Sequence, residues 1–141
     1  MNQTVESEDA LARIVQDAKV VAVIGMKDES DDEAPAFTIP RTVQSHGLRV
    51  IPVNPNETEV FGEKAYADLA SVPSKVELVD VFRRSEEAGK AVDEAIAVGA
   101  KAVWLQEGVI DNAAAQRAVD AGLLVVMDRC WLKEHMRHGR R

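Results

Sequence analysis

Five apolar runs in this chain stop at residues able to hold a phosphorylated ligand or to do thiol chemistry. Val20–Ile24 stops at Gly25-Met26-Lys27, where a glycine lets the backbone bend sharply and approach a phosphate. The run 50–53 stops at Asn54-Pro55 after Pro52 and Val53; the two prolines stiffen a surface on which a flat base can pack. The run 76–81 stops at Phe82-Arg83-Arg84, an aromatic ring and two guanidinium groups suited to a phosphate and a base. Ala102–Leu105 stops at Gln106-Glu107-Gly108, where glycine permits close approach and the carboxamide both donates and accepts hydrogen bonds. The run 123–127 stops at Asp128-Arg129-Cys130, which makes Cys130 a candidate reactive thiol beside an arginine and a helix start. Each set also has a plainer use. Gly25 serves any tight turn, Arg83 or Arg84 pairs with Glu86 or Glu87 at the surface, and a lone cysteine is most often a small buried apolar residue.

Other chemistry is missing. The chain has neither the G-x-G-x-x-G fingerprint nor the acidic residue at the end of a second strand that holds a ribose, which disfavours NAD and FAD. It has no G-x-S-x-G elbow and no Walker loop. His46, His135 and His138 lack metal-ligand spacing, and Cys130 is the only cysteine, so no metal and no internal disulfide are expected. The net charge of −7 argues against nucleic acid as a partner, because such binding draws its affinity from basic contacts to phosphates. No apolar stretch approaches the ~20 residues that span a membrane. The acidic start (Glu6, Glu8, Asp9) lacks a signal-peptide core, so the reading is cytoplasmic.

The elements that must position these residues follow from periodicity. With 141 residues, 46% of them hydrophobic, the chain reads as one domain over its whole length. Ser7 is placed as the cap of a first helix within 1–18 that buries Leu11, Ile14, Val15 and Ala18. A second helix starts after Pro35 or Pro40 and ends near Gly47. Ser85 and Asp111 are placed as caps of two alanine-rich helices, and a last helix runs from Trp131 to about Arg137 before a loose tail at 138–141. Helix, glycine, strand recurs at Gly47, Gly99 and Gly122. The segment 56–73 is less regular, with a short edge strand near Val60-Phe61 and a short helix near Tyr66–Ala70. Alternating strands and helices predict an α/β fold: a five-stranded, mainly parallel sheet with helices on both faces. Ligands of such sheets bind beyond the carboxyl ends of the strands, where all five stops would lie.

Taken in order, the pieces resemble the stand-alone CoA-binding proteins. These are Rossmann-like domains similar to the N-terminal CoA-binding domain of the succinyl-CoA synthetase α subunit. The matching pieces are Val21-Ala22-Val23-Ile24-Gly25, Gly47 through Pro55, Val79-Asp80-Val81-Phe82-Arg83, Ala102 through Gly108 and Asp128-Arg129-Cys130, spread from about Lys19 to Arg137. The resemblance implies a CoA or acyl-CoA ligand. Its phosphates would lie by Gly25, Met26 and Lys27, and its adenosine by Val53, Asn54, Pro55, Phe82 and Arg83. The pantetheine arm would run toward Gln106, Glu107 and Gly108. Arg41 and Arg84 would add positive charge against the acidic loop of Asp28, Glu29, Asp31, Asp32 and Glu33. Nothing resembles the synthetase's phosphohistidine segment, so ligase activity is not implied. Two other readings stay open: a thiol-handling protein in which Cys130 meets the CoA thiol, and an interaction module with an empty pocket that forms a homodimer or serves another enzyme.

Overall fold

The computed structural model describes residues 8–31, 33–60 and 62–138. Its main sheet holds β1 (Val20–Ile24), β2 (Arg49–Val53), β5 (Leu78–Val81), β6 (Ala102–Leu105) and β7 (Leu124–Val126), in the order β2-β1-β5-β6-β7. Every pairing in it is parallel. A separate antiparallel ribbon joins β3 (Glu59–Val60) to β4 (Glu63–Lys64). The predicted edge strand is therefore one arm of this ribbon, and Phe61 lies outside the described residues. The sheet and its helices form a Rossmann-like α/β fold.

The strands are apolar on both sides because both faces are covered. One face packs on α3 (Ser85–Val98) and α4 (Asn112–Asp120), whose inward positions are mostly alanine and so let the helices approach closely. The other packs on α1 (Glu8–Asp17), α2 (Pro35–Ser45) and α5 (Trp131–His138), with Leu11, Val43 and Trp131 in its core. Along β5 the alternation of side chains sends Val79 and Val81 to the first face and Leu78 to the second. Asp80 follows Leu78 in phase, opposite Val23 and Trp104 in the neighbouring strands, and is completely buried. Where α2 meets α5, His135 Nε2 lies 2.9 Å from His46 Nδ1.

Several boundaries differ from the sequence reading, each for a physical reason. Helix α2 begins at Pro35 and keeps Pro40 inside it. A proline there lacks the N–H that would bond to the Ala36 carbonyl, and the Lys27 N–H takes that acceptor instead, at 3.1 Å. Ser85 is the first residue of α3, not its cap. Arg84 holds the cap position without a side-chain bond, and the Ser85 hydroxyl accepts from the Ile110 N–H at 3.0 Å. Asp111 does cap α4, accepting from the Ala114 N–H at 3.0 Å. The short helix expected near Tyr66–Ala70 is a 3-10 turn, Leu69–Ser71, capped by Asp68. Ser7 and the end of the tail, 139–141, lie outside the described residues.

Candidate functional site

The strand order reverses direction between β1 and β5: from β1 the chain goes first to β2 on one side, then to β5 on the other. The crevice beyond such a switch point is where open α/β sheets bind ligands. The turns leaving the strands there are tied to one another by continuations of the sheet ladder. The Gly25 N–H donates to the Val53 carbonyl at 2.8 Å, Phe82 N–H to Ile24 at 2.9 Å, and Asp128 N–H to Leu105 at 3.0 Å. These bonds tie the ends of β2, β1 and β5 together and the end of β7 to that of β6, and the Gln106 N–H, donating to the Val81 carbonyl at 3.4 Å, joins the two groups into one rim.

Two clefts open on this rim. The first, of about 750 Å³, lies between the end of β2 and α3 and is lined by Ile24, Val53, Pro55, Ala67, Arg83 and Lys90 among others. The second, of about 530 Å³, lies between the N-terminus of α2 and the ends of β5 and β6, with Pro35, Phe82, Arg83, Gln106, Gly108 and Cys130 in its walls. Arg83 belongs to both. Gly25 sits beside it: φ is +89°, and a Cβ added there would stand 2.3 Å from the Phe82 carbonyl oxygen.

The residues singled out by sequence take different places. Val53 and Pro55 line the first cleft, and Phe82, Arg84, Gln106, Glu107, Gly108 and Cys130 the second. Arg84 is spoken for by Glu87 at 3.2 Å, and Glu107 by Lys133 at 3.3 Å. Gly108, at φ +87°, donates its N–H to Asp128 Oδ1 at 2.7 Å, which fixes the lip of the second cleft. Met26 is completely buried, its side chain in the core with Val43 of α2 and its carbonyl taken by Asn54 Nδ2. Lys27 is exposed, and its N–H is anchored on α2. Arg41 lines neither cleft; its guanidinium lies 5.8 Å from the ring centre of Phe37 on its own helix.

Asn54 is a staple. It is 3% exposed, its Nδ2 donates to the Met26 carbonyl at 3.0 Å, and its Oδ1 accepts from the Asn56 N–H at 2.9 Å. One carboxamide thus locks the turn after β2 to the turn after β1. Asn54→Ala is expected to lower the unfolding free energy by about 1–2 kcal/mol, since it leaves the Met26 carbonyl unpaired. Urea denaturation reads this as a lower midpoint at unchanged slope.

Asp28, Glu29 and Glu33 line neither cleft. Hydrogen bonds from Ser30 hold the Asp28 carboxyl below its usual range. Burial, and then the Asp28 carboxyl bonded to it, raises Glu57.

The cleft walls at Ala67, Lys90 and Pro35 carry no signal in the sequence, since they come from helix faces and an irregular segment. Asp128 left one trace. It stands next to a candidate thiol, and its φ of +62° is a conformation that aspartate tolerates better than most residues. Among the described residues no group of acidic, histidine or cysteine side chains could hold a metal ion. No helix among them is long and apolar enough to cross a membrane.

Comparison with known proteins agrees with this geometry. Residues 19–136 match a family described as CoA binding domain. An uncharacterized protein, YneT of Bacillus subtilis, is 32% identical over 124 residues, covering 88% of this chain and 90% of that one. A cell-free-synthesised protein from Thermus thermophilus superposes with a TM-score of 0.88 at 35% identity, covering 94% of this chain and 99% of that one. A hypothetical protein from Pyrococcus horikoshii OT3 gives a TM-score of 0.87 at 32% identity, covering 94% and 92%. With a match over nearly its whole length and a rim built at the sheet's switch point, the chain belongs to the CoA-binding domain family.

Proposed function

We propose that the protein binds coenzyme A or an acyl-CoA along its carboxyl rim and holds it without turning it over. The observation that carries this reading is the pair of clefts that meet at Arg83 beside Gly25. CoA is long and bipartite: a flat, phosphorylated nucleotide joined through a diphosphate to a thin amide-bearing arm. The first cleft offers Pro55 and Val53 as an apolar platform for adenine, with Arg83 and Lys90 as cations. The second is narrower in chemistry, with Phe82, Ile39 and Val109 for the methylenes and Gln106 for the amides. Between them the diphosphate would pass the turn at Gly25, whose Cβ position lies 3.5 Å from the Arg83 side chain. Arg83 then sits at the crossing, and its planar fork suits a phosphate.

Isothermal calorimetry with CoA tests the proposal. Saturable heat is expected, and Arg83→Ala should weaken the affinity about tenfold, the loss of roughly one charged hydrogen bond. No heat at millimolar CoA would remove the reading. An Arg83→Ala variant that binds as tightly as the parent would move the diphosphate away from the junction of the two clefts.

A further inference from the structure

The second cleft contains a sulfur atom that CoA binding alone does not require. Cys130 is in its wall, 8% exposed, at the end of a loop held residue by residue. Asp128 accepts from the Gly108 N–H at 2.7 Å, the Arg129 carbonyl accepts from Trp104 Nε1 at 2.8 Å, and the Cys130 carbonyl accepts from the Glu134 N–H at 3.1 Å. The thiol is therefore fixed in place relative to the cleft. Next to it stands Gln106, only 6% exposed. Its Oε1 accepts from the N–H of Trp131, the residue after Cys130, at 3.0 Å. That bond sets the amide's orientation, and among the described residues its Nε2 has no acceptor. This amide nitrogen belongs to a residue in the wall of the cleft, and a ligand carbonyl there would give it an acceptor. An amide-bearing arm that ends in a thiol meets both groups: its carbonyl at Gln106 Nε2, its sulfur at Cys130.

Resting on the CoA reading, we propose that Cys130 exchanges with disulfides of CoA and so captures CoA as a mixed disulfide. Cys130 gives its proton to solvent, and the Sγ thiolate attacks one sulfur of the CoA disulfide. The Sγ–S bond to CoA forms as the S–S bond of the reagent breaks. The departing CoA thiolate takes up a proton. One disulfide is consumed and one is made, so no further oxidant is needed. Excess thiol reverses the step and releases CoA.

Intact-mass spectrometry after incubation with the symmetric CoA disulfide tests this. A single CoA adduct is expected, mapped to Cys130 in a digest, removed by dithiothreitol and absent in Cys130→Ser. Glutathione disulfide at equal concentration should react at least about tenfold more slowly, because it lacks the nucleotide that guides the arm into the cleft. If reduced CoA binds calorimetrically and no adduct forms, or if glutathione disulfide reacts as fast, the exchange is overturned and the binding reading stands. If reduced CoA gives no heat, the binding reading falls and this inference falls with it.

Discussion

Gly25→Ala is expected to cost about 3–5 kcal/mol of folding stability and to abolish CoA binding in whatever folded protein remains. Two penalties combine. The residue holds φ at +89°, a region that L side chains rarely adopt, and its Cβ would stand 2.3 Å from the carbonyl oxygen of Phe82. That oxygen is backbone, in the turn that ends β5, so relief requires moving the rim itself. Gly47→Ala is the control: its φ is +97°, and no atom lies within 4 Å of the added Cβ. It should lose only the conformational part, about 1 kcal/mol. Urea denaturation of both variants separates strain from clash. Equal losses would mean that the contact between the turns after β1 and β5 carries no energy.

Asp80→Asn is expected to stabilise the protein at neutral pH, increasingly so as the pH rises. Asp80 is completely buried, and neither carboxyl oxygen has a hydrogen-bond partner. Burial pushes its pKa well up, offset only in part by the neighbouring Val81 amide. The folded protein therefore keeps this proton at pH values where the unfolded chain has released it. Above the ordinary carboxyl value the folded state binds more protons, so stability falls as pH rises toward the folded pKa, by about 1.4 kcal/mol per pH unit. Asparagine does not titrate. The gap between variant and parent should widen as the pH is raised from about 5 toward neutral, for as long as the folded protein keeps this proton. His135, whose pKa is lowered by burial and then by His46, is the same in both proteins and drops out of the difference. Denaturation midpoints across that range give the measurement, and a gap independent of pH would refute a neutral, buried Asp80.

Much of the fold was legible because strands covered on both faces leave unbroken apolar runs. Val20–Ile24 and Ala102–Leu105 are read to the residue. The run 76–81 is shortened at its start by a tertiary partner. The Glu77 carboxylate accepts from the Lys19 and Val20 amides, and its carbonyl from the Lys101 and Ala102 amides, so it ties three segments together before the strand begins. That role depends on neighbours far away in the chain, which periodicity does not report. Asn54 shows the same limit at the rim. A polar residue at a strand end reads as a ligand contact, and its hydrogen bond to the Met26 carbonyl, 28 positions away, appears only in three dimensions. Ser85 reads as a helix cap because the local pattern fits, but a hydroxyl can serve the loop after β6 just as well. Gly25 and Arg83 were legible because their uses, a sharp bend and a planar cation, belong to the residue type itself.

Pro40 has a consequence for how the rim unfolds. Because its ring offers no proton to Ala36, a helix α2 formed on its own would carry one unmet acceptor in its interior. The amide of Lys27 meets it. Helix and loop thus complete each other's bonding, and neither can open without exposing a gap in the other. The segment that would greet a diphosphate is thereby welded to a full helical cylinder, and it melts only when that cylinder does.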